Sequence, residues 1–135
     1  MIGWLANARE GHSMRLVRLV AVVTLLVGLM ASAGAATAAP AYRYYVVCSH
    51  SKQAPPATSC SKNSNKGAVF KSNNAAVKYK ICVKYPGGQK LCANNQNAPK
   101  GRKVLNTISS SLKGVHTVKW WVDGDLVGTY NFTVT

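Results

Sequence analysis

The chain has 135 residues, with 17 lysines and arginines against three acids and a formal net charge of +14. That length supports one modest core. The charge repels cations and draws polyanions, and the near-absence of carboxylates excludes most acid–base chemistry built on carboxylate pairs.

Arg15 and Arg18 precede a run from Leu19 to Met30 that is apolar except for Thr24 and Gly28, and small residues follow from Ala31 to Ala39. Charged, apolar and small segments in this order form a secretory signal. Cleavage is expected after Ala38, at Ala36-Thr37-Ala38. The expected organisation is a signal peptide over residues 1–38 and a single secreted β domain over 39–135. Met14 to Ala38 is a complete signal by itself, so Met14 is an alternative start, and residues 1–13 would then be an artefact of start-site choice. The competing reading is a membrane anchor left uncleaved, because Leu19 to Ala39 carries no charge and a span needs roughly 20 apolar residues. The Ala, Gly, Ser and Thr of its second half favour cleavage, after which no transmembrane span is expected. Removal takes Arg9, Arg15, Arg18 and Glu10, leaving fourteen bases against Asp123 and Asp125, a net charge of +12.

Cys48, Cys60, Cys82 and Cys92 all lie beyond the signal. An even count in a short exported chain predicts two disulfides. Pro86-Gly87-Gly88 stands midway between Cys82 and Cys92, and a three-residue turn there sets the two opposite each other on a hairpin. That pairing leaves Cys48 with Cys60. Zinc is the competing use of these cysteines. No Cys-x-x-Cys spacing occurs, and only His50 and His116 stand by to assist, so neither a metal nor a cofactor is expected.

Tyr42 to Cys48, rich in Tyr and Val, predicts a strand. Ser49 to Lys66 predicts a long polar loop, and Ala68 to Lys71 a short strand. Ala76 to Tyr85 alternates: Val77, Tyr79, Ile81 and Val83 share one face, and Lys78, Lys80, Cys82 and Lys84 the other. Gln89 to Ala93 is its return strand, and Asn94 to Lys103 a loop. Val104 to Leu112 is expected to be extended or irregular, since its Asn, Ser and Thr residues compete with helical bonding. His116 to Val122 and Leu126 to Thr135 form a hairpin joined at Asp123-Gly124. Either a three-residue turn, or a two-residue turn with a bulge at Gly128, aligns Val118, Trp120 and Val122 with Tyr130, Phe132 and Val134. Trp120 then packs inward, and Trp121 points to the opposite face among Thr117, Lys119, Thr129, Asn131 and Thr133. No helix is expected.

These elements predict an all-β fold, a small antiparallel β-sandwich with two disulfides. The run from Gly114 to Val134, with its Trp-x-Val-Asp-Gly turn and closing Tyr-x-Phe-x-Val strand, resembles the final hairpin of bacterial secreted immunoglobulin-like domains. The resemblance covers about a fifth of the exported part and implies an immunoglobulin-like binding or structural module, with no catalytic residues to carry over. The cysteines do not bracket a central Trp, so a cross-sheet disulfide of the antibody type is not supported.

The exported part has no Glu, and its two acids flank a turn glycine, where turn formation explains them. His50 and His116 are the only candidate bases. No Gly-x-Ser-x-Gly elbow and no phosphate-cradling loop occur. We therefore read the chain as non-enzymatic. The candidate polyanion-binding residues are Lys78, Lys80 and Lys84 on one strand face, and Lys100, Arg102 and Lys103 in the following loop. Trp121 is the candidate partner platform, with Tyr42, Tyr44, Tyr45 and Tyr85 as neighbours. The alternative is that Trp121 packs beneath the long loop. Lysine outnumbers arginine and nucleic-acid motifs are absent, so sequence-specific nucleic-acid binding is not expected. The function expected is a secreted binding module for an anionic extracellular or cell-envelope polymer. The alternative is a secreted antagonist, either an antimicrobial protein or an inhibitor of another enzyme.

Overall fold

The computed structural model describes residues 38–135, so the expected signal segment, apart from Ala38, lies outside the described residues. One compact unit runs from Ala39 to Thr135. It contains β1 (Tyr42–Val47), β2 (Ser59–Cys60), β3 (Gly67–Ser72), β4 (Val77–Lys84), β5 (Lys90–Ala98), β6 (Lys103–Thr107), β7 (Gly114–Val122) and β8 (Asp125–Val134). There is no helix among the described residues.

The strands form two sheets, one in the order β1-β3-β6 and one in the order β2-β8-β7-β4-β5. Every neighbouring pair is antiparallel except β2 with β8. The chain crosses between sheets from β1 to β2 and back to β3, then from β3 to β4, back from β5 to β6, and again from β6 to β7. That is the Greek-key order of an immunoglobulin-like sandwich, with β5 as the extra edge strand of the variable type.

Period-two alternation builds the core. Trp120, Val118, Phe70 and Val46 are fully buried, and Tyr79, Ile81, Phe132 and Val134 nearly so. Aromatic rings bridge the two sheets: Phe70 of β3 stacks on Tyr79 of β4 at 4.5 Å, and Tyr44 of β1 lies 5.3 Å from Trp120 of β7. Each ring contributes about 1.5–3 kcal/mol through the apolar area it withdraws from water.

The last hairpin resolves the choice between turns. Val122 pairs with Asp125, so the turn is the two residues Asp123 and Gly124, both with positive φ (51° and 89°) as a type I′ turn requires. Register then slips between Trp120 and Trp121, where Trp120 faces Gly128 and Trp121 faces Leu126. The bulge therefore sits at Val127–Gly128 and restores the inward alignment of Phe132 with the core.

Both disulfides join the expected partners, Cys48 with Cys60 and Cys82 with Cys92. Disulfides in a domain this small fit an oxidising compartment. Three expectations need correction. First, the long loop contains β2, because Ser59 and Cys60 lie parallel to Thr133 and Val134. Cys48 directly follows β1 of one sheet and Cys60 belongs to the other, so this disulfide does tie the two sheets together, at their margin instead of through the centre. Second, β5 runs on to Ala98, well past Ala93. Its Asn-rich stretch stays in the sheet because a bulge opposite Lys80 accommodates Asn95 at φ 53°, a conformation asparagine tolerates. Third, the expected loop from Asn94 to Lys103 shrinks to residues 99–102.

Candidate functional site

The site forms on the outer face of the five-stranded sheet. Tyr79, Ile81 and Val83 fill the inner side of β4, which turns Lys78, Lys80 and Lys84 outward, all exposed. On β7 the buried set is His116, Val118, Trp120 and Val122, which turns Thr117, Lys119 and Trp121 outward. Pairing then sets the neighbours. Lys84 lies between Thr117 of β7 and Lys90 of β5, Cys82 between Lys119 and Cys92, and Lys80 beside Trp121.

Five lysines thus share this face: Lys78, Lys80, Lys84, Lys90 and Lys119. Trp121 is half-buried among them. The Lys80 ammonium stands 5.6 Å from the centroid of its ring and the Lys90 ammonium 5.7 Å. Each such contact contributes about 0.5–1 kcal/mol at an exposed position. The indole therefore gathers two cations that would otherwise spread apart. Beside it lies a hollow of about 230 Å³ lined by Cys82, Lys84, Lys90, Thr117, Lys119 and Trp121. A wider depression, also lined by Trp121, includes Lys78, Lys80, Asn94, Asn95 and Asp123.

The remaining expected cations lie elsewhere. Lys100 and Arg102 belong to the turn between β5 and β6. Lys103 opens β6, on the outer side of the three-stranded sheet, where it pairs across with Lys71, which pairs in turn with Arg43. Its ammonium donates to Gln53 Oε1 at 3.2 Å and lies 5.8 Å from the ring of Tyr45. Arg102 and Lys103 share an open depression with His50 and Lys52. Of the six expected cations, Lys78, Lys80 and Lys84 therefore lie on the Trp121 face, Arg102 and Lys103 at the depression beside the other sheet, and Lys100 on neither.

The tyrosines expected near Trp121 are not there. Tyr42 stacks on Phe70, Tyr44 packs on Trp120, Tyr85 meets His116 edge-on, and Tyr45 covers the outer side of the other sheet. Strand parity explains this: Tyr42 and Tyr44 take the inner face of β1 with Val46. The two hollows at Trp121 are lined by strand and turn residues, with none from the long loop.

His116 is fully buried, stacked on Phe132 at 4.9 Å. Its Nδ1–H donates to the Gly114 carbonyl at 3.1 Å, which leaves Nε2 to accept from the Ser110 hydroxyl at 2.7 Å. Ser110 also accepts, through its carbonyl, from the buried ammonium of Lys66 at 3.1 Å, and that ammonium donates to the carbonyls of Lys62 and Ser64 as well. Burial pushes the pKa of Lys66 below the usual 10.5. The group is a clasp that anchors the irregular segment before β7 to the loop after β2. Among the described residues no three His, Cys, Asp or Glu side chains stand together as a metal-ligand set.

No known family profile matches the chain, and no curated protein does. Among solved structures, an immunoglobulin-like protein from Pseudomonas aeruginosa overlaps with a TM-score of 0.48 at 14% identity, over 70% of this chain and 91% of that one. An alkylpurine DNA glycosylase from Pseudomonas fluorescens, solved with DNA containing an abasic site analog, overlaps with a TM-score of 0.43 at 15% identity. That overlap covers 98% of this chain but 41% of the glycosylase. The strand order of the two sheets, and not these overlaps, defines the immunoglobulin-like sandwich.

Proposed function

We propose that the protein is a secreted, non-enzymatic binding module whose five-stranded sheet holds a linear anionic polymer of the cell envelope or extracellular medium. One observation carries this reading. Lys78, Lys80, Lys84, Lys90 and Lys119 stand on three adjacent strands around Trp121, against two acids at the end of the hairpin, Asp123 in its turn and Asp125 at the start of β8. Cross-strand neighbours about 4.8 Å apart repel when like-charged, as Lys84 and Lys90 are, and a bound polyanion turns that repulsion into attraction. Two ammoniums held at one indole lose less freedom on meeting an anion than two free ones, which favours binding. The expected signal segment and the two disulfides support an exported module, and anionic polymers are encountered outside the cell.

The test is binding of the purified protein to dextran sulfate and to neutral dextran over a range of salt. The expected result is binding to the sulfated polymer alone, weakening steeply as salt rises. Replacing Lys80, Lys84, Lys90 and Lys119 together by Gln should reduce affinity at least about tenfold and flatten the salt dependence. Equal binding to neutral dextran, or an affinity indifferent to those four lysines, would overturn the proposal.

A further inference from the structure

Most of the basic residues of 39–135 fall on two surfaces. Of the fourteen in residues 39–135, five share the sheet face around Trp121. Another five belong to the outer side of the three-stranded sheet: Arg43, Lys71 and Lys103 on its strands, and Lys52 and Arg102 at the adjoining depression. Arg43, Lys71 and Lys103 occupy one register row, each directly beside the next, so three like charges cross the whole sheet about 4.8 Å apart. Such a row destabilises a sheet unless a counter-charge lies along it. Neither acid of residues 39–135 belongs to this sheet, since Asp123 is in the β7–β8 turn and Asp125 opens β8 of the other sheet.

The outer faces of two packed sheets look away from each other. With sheets about 10 Å apart and side chains reaching outward from both, the two sets of cationic heads are separated by about 20 Å. That exceeds the Debye length of about 8–10 Å at ordinary ionic strength, so the two faces act as independent sites. A short anionic chain on one face cannot reach the other without passing round the edge of the sandwich.

We infer that the domain is bivalent: each outer sheet face binds its own segment of linear polyanion, so that one protein bridges two polymer strands. The inference rests on the proposed binding at the Trp121 face and adds a second site of the same ligand chemistry on the opposite side. Its consequence is cross-linking. A long polymer presented with the protein condenses near charge balance and redissolves when polymer is in excess, because surplus strands then occupy each face singly.

The test pairs calorimetry on a short sulfated dextran oligosaccharide with light scattering on long dextran sulfate. The purified protein should take two oligosaccharides per chain and give a scattering maximum that collapses in excess polymer. The triple variant Arg43→Gln/Lys71→Gln/Lys103→Gln should take one oligosaccharide, with affinity changed by less than about twofold, and lose at least about fivefold of the scattering. A charge-matched control, Lys62→Gln/Lys100→Gln/Lys113→Gln, removes the same net charge from outside the two sheet faces and should still take two and condense the polymer. Equal loss of condensation in both variants would mean that net charge alone is responsible and would overturn the bivalent site. A stoichiometry of one for the unaltered protein would overturn it too, while leaving the Trp121 face intact. Absence of any oligosaccharide binding would sink both readings.

Discussion

Gly128 lies against the face of Tyr44 so closely that a Cβ added to it would stand 2.5 Å from ring carbon Cδ1. The glycine occupies the bulge opposite Trp120, and the tyrosine packs on that same tryptophan. Gly128→Ala should therefore force the Tyr44 ring off Trp120 and cost about 1–3 kcal/mol, the usual penalty for overpacking. In a domain of this size that lowers Tm by roughly 4–8 °C per kcal/mol. In a Tyr44→Ala background the same alanine should cost far less, because the obstructing ring is gone. Additive effects in the double variant would show that the clash is not the cause.

The Cys48–Cys60 disulfide joins the end of β1 to β2, across the margin between the sheets. Few other contacts hold β2, which pairs with β8 over two residues. Cys48→Ser/Cys60→Ser should lose about 3 kcal/mol by loop entropy and expose the segment between them to protease. The Cys82–Cys92 bond closes a loop of similar length, so Cys82→Ser/Cys92→Ser should cost a similar amount of stability. Its hairpin, however, keeps its ladder on both sides of Cys82 and should resist proteolysis better. Limited proteolysis followed by peptide mapping separates the two. Early cleavage in residues 85–89 of the second variant would contradict this ordering.

Much of the fold follows from local pattern. Alternation over Ala76–Tyr85 and His116–Val122 assigns the inner and outer faces of β4 and β7, and those faces hold in the structure. The turn between Cys82 and Cys92 gives their pairing. It also implies that Lys84 faces Lys90, two residues nearer the turn on each strand, so this member of the basic face is legible in the sequence. Alternation over β7 likewise sets Lys119 on the face of Trp121. What local pattern could not supply was the meeting of β4 with β7, thirty and more residues apart, which alone brings Lys80 and Lys84 to Trp121 and Lys119. The same limit explains the misplaced tyrosines. The parity of β1 was readable, but which sheet it joined was not, and sheet membership decides whether Tyr44 lies near Trp120 or Trp121.

Tyr79 makes stability depend on alkaline pH. Burial pushes its pKa from 10 up to about 12, opposed in part by the hydrogen bond its hydroxyl donates to Asn106 Oδ1. The folded state thus holds the proton more tightly than the unfolded state. The resulting stability is fully present below pH 10 and disappears as pH rises towards about 12. Its upper limit is about 2–3 kcal/mol, lessened by solvent screening. Tyr85, raised by burial as well, adds in the same direction. Lys66 acts oppositely: its lowered pKa disfavours the charged form in the fold, so its contribution improves as pH rises towards 10.5. Urea midpoints from pH 8 to 12 should fall most steeply above pH 10 in the unaltered protein, and less so in Tyr79→Phe. An unchanged slope in that variant would refute the assignment to Tyr79.

Trp121 and Trp120 are adjacent in sequence and opposite in environment, one half-buried among lysines and the other with no exposure. Quenching of fluorescence should tell them apart once the third tryptophan is silenced by Trp4→Phe. With Trp120→Phe added, the emission that remains comes from Trp121, and iodide should quench it more strongly than caesium at equal concentration, because the surrounding ammoniums concentrate anions. The preference should fade with added salt and shrink in Lys80→Gln/Lys90→Gln. With Trp121→Phe added instead, Trp120 should resist both ions. Trp121→Ala should alter stability little, since the side chain lies outside the core, yet weaken dextran sulfate binding several-fold by releasing Lys80 and Lys90. Equal quenching by iodide and caesium at Trp121 would mean that the lysines do not create an anion-attracting surface there.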